Sequence, residues 1–461
     1  MTEVMNHNPY VSPSDDFDEL MFRSISEMRE LFLAGEISPV EVTRTSLARI
    51  ERYNEQLGAF VQVAPESAIA AAEASEMRYA RGESSGPLDG VVISVKDIIA
   101  VEGLQWEAGS QVLKGNRATR DAASVAALRQ AGCIIVGKTS LDEFALTTTG
   151  PAVNPLDQSL TAGGSSGGAA VAVRSGMSFF DLATDTGGST RIPAYCCGTA
   201  GFKPTRSLLS LDNVLPLAHS LDHLGLITRS VADCEMIFGS LLPATTSGQR
   251  EAVKASQIRI GVPTNLHFYD PGVESKYMQS VELLSSAGVR RVDVVLPDLD
   301  HVGDIHRTIL LAEMREFHGR RYGRSEDRYG PGFREFLWDG PDITTEQYLE
   351  AQRRRGALTA VVSDALATCD LLLLPTMVVD TPRAGQIEVD LGGEPTFATS
   401  AMVRLTSLFN HTGHPALTLP ACAGQYGALA GAQLVAEHHN DMLLLDIARL
   451  LGNDAVPTFS S

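Results

Sequence analysis

The segment GGSSGGAAVAVRSGMSFFDLATDTGGST, residues 163–190, decides how the chain is read, because two Gly-Gly-Ser turns bracket a helix and a strand. After Gly163-Gly164-Ser165-Ser166 a run of small residues predicts a short helix over about 167–175. Ser175-Gly176 then marks a turn, and the apolar stretch over about 178–184 predicts a buried strand ending at Gly187-Gly188-Ser189. A helix that leaves one edge of a sheet and a strand that returns to it bring their outer ends to the same edge. Ser165 and Ser189, 24 residues apart in sequence, can therefore meet.

Working outward, the same alternation continues. GVVISVKDII (90–99) and CIIVGK read as strands, with DAASVAALRQAG as the helix between them. IRIGVP (258–263), RRVDVVLP (290–297) and DLLLLPT (370–376) are further short strands separated by helical segments. Upstream, SPVE (38–41) carries a capping box with Pro39 at the first helical position, predicting a helix to about Asn54, followed by an alanine-rich helix over 66–80. Thr344 and Gln347 cap a long helix running to about Ala367. The pattern predicts an α/β fold with a mainly parallel sheet. There is no internal repeat or low-complexity linker, so one large domain over 21–455, after a loose tail over 1–20, is expected.

Composition excludes several classes. Apolar residues make up 44% and charged residues 20%, the mix of a globular chain. The net charge of −19 disfavours a polyanionic partner such as nucleic acid. Arg353-Arg354-Arg355 is the nearest basic run, and it reads as a solvated helix face. Six cysteines form no disulfide or metal-site pattern. His438 and His439 read as surface residues, and no metal is expected. The polar, acidic start is not a signal peptide and no apolar run reaches membrane-span length, so a cytoplasmic protein is expected.

Two motif matches compete for the chemistry. GCIIVGKT (132–139) fits the P-loop pattern, but its four middle residues read as a strand and leave no phosphate cradle. The G-x-S-x-G elbow of serine esterases fits twice, from Gly163 offering Ser165 and from Gly164 offering Ser166, yet the preceding NPLDQSLTA is no strand. His219 and His223 would have to serve as its bases and read as ordinary loop residues. A third arrangement adds Lys96, at the C-terminal end of the 90–99 strand. If that strand runs parallel to 178–184, Lys96 faces the edge where both serines lie. A serine needs a base, and a buried neutral lysine can supply one, directly or through a second serine. Backbone N–H groups beside the glycines can receive an oxyanion.

At these residues the chain resembles the amidase signature family, over about 24–450. The resemblance is carried by GGSSGGAAVAV, TDTGGSTRIPAYCCGTAGFKPT (184–205), SVKD (94–97), GKTSLDEFA (137–145), PLAHSLDHLGLITRSVADC (216–234), LLPTMVVDTP (373–382) and FNHTGHPALTLPA (409–421). It implies a single α/β domain whose mixed, mostly parallel central sheet is covered by helices. It also implies a Ser–Ser–Lys triad, with Ser189 as nucleophile, Ser165 as bridge and Lys96 as base. Thr186, Gly187, Gly188 and Ser189 would supply the oxyanion hole, and a cis peptide would join Gly164 to Ser165. The chain departs from the family at Ala162, Ala169, Thr190, Gln105 and Trp106 without losing a triad member.

The implied reaction is hydrolysis of a linear carboxamide through an acyl-enzyme, with no cofactor. Expected partners are a small-molecule amide and neither nucleic acid nor membrane; a homodimer is left open. Alternatives are an amidotransferase-like subunit or acyl-transferring amidase within a complex, and the serine esterase. The glutaminase subunit of tRNA-dependent amidotransferases places an acidic residue seven positions before the match to Asn410, where this chain has Val403. That argues against a glutamine amino group as ligand. Three residues are candidate substrate contacts: Trp106 to shape the pocket or fill the core, Arg191 beside the nucleophile, and Arg404 to meet a substrate carboxylate.

Overall fold

The computed structural model describes residues 16–242, 254–323, 326–420 and 429–454. The first half holds helices α1 (Asp16–Leu20), α2 (Ile25–Ala34), α3 (Pro39–Leu57), α4 (Pro65–Arg81), α5 (Ala123–Gln130), α6 (Gly167–Arg174), α7 (Arg191–Cys197) and α8 (Val231–Leu241). Strands β1 (Phe60–Val63), β2 (Val92–Lys96), β3 (Ile134–Thr139), β4 (Phe180–Asp185), β5 (Ala200–Lys203) and β6 (His223–Thr228) alternate with them. The second half adds β7 (Arg259–Pro263), α9 (Pro271–Ser286), β8 (Arg290–Val294), α10 (Leu299–Arg321), α11 (Pro331–Arg334), α12 (Thr345–Leu366) and β9 (Leu371–Pro375). It closes with the hairpin β10 (Glu388–Leu391) and β11 (Glu394–Phe397), then α13 (Ala398–Thr412), β12 (Ala416–Thr418), β13 (Ala432–Val435) and α14 (Asp441–Asp454).

The helix starts follow local chemistry. Ser38 Oγ accepts from the Glu41 N–H at 3.2 Å while Glu41 accepts from the Ser38 N–H at 2.8 Å, closing the capping box of α3. Thr344 and Gln347 do the same for α12. The structured chain begins inside the stretch read as a tail. Asp18 on α1 is buried and pairs with buried Arg49 of α3 at 2.7 Å, which anchors α1. Residues 1–15 and 455–461 lie outside the described residues.

Eleven strands form one mixed sheet in the order β1-β3-β2-β4-β6-β5-β12-β13-β9-β7-β8. The chain is thus a single large α/β domain with a mixed central sheet flanked by helices, as implied. Its parallel pairings form two blocks, β3-β2-β4 and β8-β7-β9, and the strands between them pair antiparallel. Strands β2, β3, β4 and β6 are buried along their whole length, and the polar residues they carry, among them Lys96, Asp181 and Asp185, are buried with them. Each buried Val, Leu, Ile or Phe contributes about 1.5–3 kcal/mol.

Two consequences position the site. Ile93, Ser94 and Val95 pair in parallel with Phe180, Asp181 and Leu182, so β2 and β4 end at the same edge. The helix α6 runs back from that edge and β4 returns to it, which places Ser165, Ser189 and Lys96 together.

The basic run on α12 divides by face. Arg353 and Arg354 are exposed and pair with Glu350. Arg355 is buried instead, and so corrects the solvated reading. Its Nε donates to the His411 carbonyl at 2.8 Å and its Nη2 to the Ser220 carbonyl at 2.6 Å. The physical reason is that the last carbonyls of α13 have no intrahelical donor, so a cation reaching them is stabilising. No described helix is long and apolar enough to cross a membrane.

Candidate active site

Lys96 ends β2 with its side chain wholly buried. Its Nζ lies 2.9 Å from Ser165 Oγ, 2.7 Å from Ser166 Oγ and 2.9 Å from Thr184 Oγ1. Burial lowers its pKa from 10.5 to about 7, against the opposing pull of Asp142, Asp181, Asp185 and Asp222. Burial in turn raises Asp142 to about 6 and Asp181 and Asp222 to about 7. The charged form of Lys96 is therefore no longer strongly favoured at neutral pH.

Ser165 follows a cis peptide from Gly164, as the resemblance implied. A side chain at Gly164 would meet Asp142 Oδ2 at 2.4 Å and the Thr148 backbone at 2.9 Å, so the turn passes too close to its neighbours for a Cβ. Ser166 heads α6, and its N–H donates to the Ser189 carbonyl at 3.2 Å. The two Gly-Gly-Ser turns thus meet through their backbones. No hydrogen bond joins the Ser165 and Ser189 hydroxyls. Ser189 is 7% exposed, the most accessible of the three residues. The N–H groups of Thr186, Gly187, Gly188 and Ser189 donate to no acceptor among the described residues.

A buried network shapes the 185–190 turn. Asp185 accepts from Arg191 Nη2 at 2.8 Å and Nε at 3.0 Å, and from the Thr190 N–H at 3.1 Å. Although burial opposes it, this pairing holds the Asp185 carboxyl well below the usual carboxylate range. Asn410 on α13 bridges both partners: its amide donates to Asp185 and its carbonyl accepts from Arg191. Thr406, one turn earlier, donates to the Gly187 carbonyl at 2.6 Å.

The structure gives each of the three candidate substrate contacts protein partners. Arg191 is fully buried, and all five of its donors are engaged by Asp185, Asn410, Gln433 and the Thr406 carbonyl. None remains for substrate, so Arg191 is an anchor. Arg191→Met is expected to cost about 3–5 kcal/mol, by leaving Asp185 buried and unpaired; denaturant unfolding at unchanged slope checks this. Arg404 is matched already, by an ion pair with Asp300 and by the Tyr269 hydroxyl at 3.0 Å. Trp106 is half-buried and packs on the core, and its indole N–H donates to the Ile98 carbonyl at 2.9 Å.

Other expectations can be placed. The P-loop match is strand β3, and its Lys138 is a buried partner of Asp97 at 3.1 Å. His223 opens β6 and is buried, so it is not the loop residue expected; exposed His219 lies 3.3 Å from Glu313. His438 is half-buried and clusters with His414 and Glu437, their donor atoms lying within 4.8 Å of one another. The His438 and His414 rings also contact Thr412, at 2.9 Å each, which ties the start of β12 to the segment before α14.

Several residues of the site escaped sequence reading. The adjacency of Ser165 and Ser166 hinted that both hydroxyls reach Lys96. Thr184, two residues beyond Leu182 on β4, was recoverable once β2 and β4 were known to end at the same edge. His306 and Val403 were not recoverable as a pair. Their side chains lie 3.1 Å and 3.6 Å from where a Cβ on Gly187 would stand, and helices far apart in sequence supply them.

Fold and site together define a buried serine–lysine centre at the edge of an α/β sheet. The Amidase family model matches residues 41–445, and the chain belongs to that family, whose homologues act on amides. A glutamyl-tRNA(Gln) amidotransferase subunit from Chloroflexus aggregans is 33% identical, over 93% of this chain and 96% of its own. A crystal structure of an amidase superposes with a TM-score of 0.85 at 32% identity, covering 93% of this chain and 99% of that one. The 6-aminohexanoate cyclic dimer hydrolase in complex with substrate gives 0.80 at 26%, over 95% and 98%.

Proposed function

We propose that the protein hydrolyses a carboxamide C–N bond through an acyl-enzyme on Ser189. The observation that carries this reading is a buried lysine of lowered pKa, 2.9 Å from Ser165. Ser166 donates to the Thr184 carbonyl at 3.2 Å, so its hydroxyl accepts from Lys96. The lone pair of neutral Lys96 is thereby left to the Ser165 proton. Ser165 in turn takes the proton of Ser189 as Ser189 attacks the carbonyl. That second link tightens when substrate binds, as catalytic hydrogen bonds often do. The open N–H groups of residues 186–189 receive the oxyanion, the proton returns through Ser165 to the leaving nitrogen, and water releases the acid.

The test is ammonia release across a panel of linear carboxamides, with a serine-reactive probe reporting on Ser189. Absence of both turnover and labelling would sink the reading. Gly188 gives a second test. Its φ is +131°, and a Cβ would stand 2.2 Å from Thr406 Oγ1. Gly188→Ala should lower kcat/KM about 100-fold by displacing the oxyanion turn, and stability by about 1–3 kcal/mol. Steady-state kinetics and melts read both.

The amidotransferase-subunit reading is favoured by the relatives of that name. Against it stands Val403, which lies beside Gly187 and gives no carboxylate to a glutamine amino group.

A further inference from the structure

We propose that His306 is a substrate-binding residue whose Nε2–H donates to an uncharged acceptor oxygen on the acyl chain, in a subsite formed with Val403 over Gly187. The proposal rests on the amidase reading above and names the substrate class of that site.

Helices α10 and α13 pack together across the 185–190 turn. A Cβ on Gly187 would lie 3.1 Å from both Cε1 and Nε2 of His306. The outer edge of the imidazole therefore rests against the segment whose N–H groups are open. The inner edge is tied down: His306 Nδ1 lies 3.2 Å from His411 Nε2, with the rings nearly perpendicular at 86°.

One proton sits in that contact, and the surroundings say whose it is. His411 Nδ1 is buried without a partner among the described residues. A buried N–H without an acceptor is rarer and costlier than an unused lone pair. The His411 proton is thus on Nε2, donated to His306 Nδ1, and the proton of neutral His306 is on Nε2. His306 is half-buried, and its Nε2 has no protein partner among the described residues.

The pair is held neutral. Burial lowers His306 to about 4, and burial with the nearby His306, Arg355 and Arg206 lowers His411 well below the usual imidazole range. A neutral N–H beside an apolar valine suits an ether, hydroxyl or carbonyl oxygen, and neither His306 nor Val403 carries a negative charge to balance an ammonium. The preferred substrates are therefore carboxamides with an oxygen-bearing, uncharged acyl chain rather than α-amino-acid amides.

Matched amides test this: straight-chain amides and their isosteres with one methylene replaced by an ether oxygen at successive positions. At one position the wild-type ether-to-methylene ratio of kcat/KM should exceed that of His306→Phe by about tenfold, the worth of one hydrogen bond. His306→Gln, which keeps an N–H donor, should retain part of the preference, and melts of all variants report folding. His411→Phe should weaken the preference and His411→Gln restore it, because His411 is a positioning residue. If wild type cleaves no amide of the panel, the amidase reading fails and the subsite with it. If it cleaves them but no ratio responds to His306→Phe, or all rates fall equally, the subsite alone is overturned.

Discussion

Ser189→Ala is expected to lower kcat by about 10⁴–10⁶-fold, the scale seen when a serine nucleophile is removed, and to abolish labelling by an acyl or phosphonyl serine probe. The change is small for the fold. The Ser189 hydroxyl makes no hydrogen bond to Ser165, and the backbone contact from Ser166 to the Ser189 carbonyl survives. Thermal melting should therefore stay near wild type while turnover vanishes. Ser165→Ala is the informative companion, because Lys96 keeps its contacts to Ser166 and Thr184. A Ser165 variant with wild-type rate would remove the bridge from the mechanism. A Ser189 variant with wild-type rate would remove the mechanism itself.

Lys96→Met is the second large effect, and its signature is in the pH profile. The proposed base is active only when neutral. With its pKa lowered to about 7, wild-type kcat/KM should rise with pH through about 7 and level off above. The variant should lose about 10³-fold or more and with it the acidic limb. Folding carries a linked signature. Unfolded Lys96 keeps its proton to about pH 10.5, whereas the folded protein releases it near 7. The unfolded state binds more protons between these values, so this group's contribution to stability rises with pH across that window. Lys96→Met should flatten that slope in melts followed against pH. An unchanged acidic limb would show that another group titrates.

The fold was largely legible because its elements carry strong local signals. The capping boxes at Ser38 and Thr344, the β-branched runs of β2 and β3, and the two Gly-Gly-Ser turns each act within a few residues. Misreadings fall where local signals are silent. Asp18 looked like part of a polar tail until Arg49 supplied its partner. Arg355 looked like its exposed neighbours because nothing in RRR marks the one turned toward the carbonyl end of α13. The ion-pair partners of Arg191 and Arg404, Asp185 and Asp300, are likewise assigned only by packing.

The sequence by itself determined which chemistry is available. It holds Lys96 at a strand end, Ser165 and Ser189 at opposite ends of a helix–strand unit, and glycines where a turn needs open N–H groups. These follow from periodicity and spacing, which act along the chain. Only the tertiary structure decided how that chemistry is tuned and bounded. Burial from all sides lowers the pKa of Lys96, Asn410 and Thr406 from α13 fix the 185–190 turn, and His306 from α10 comes to lie over Gly187. Desolvation and contacts between elements more than 100 residues apart are properties of the packed molecule, and no local pattern in the chain encodes them.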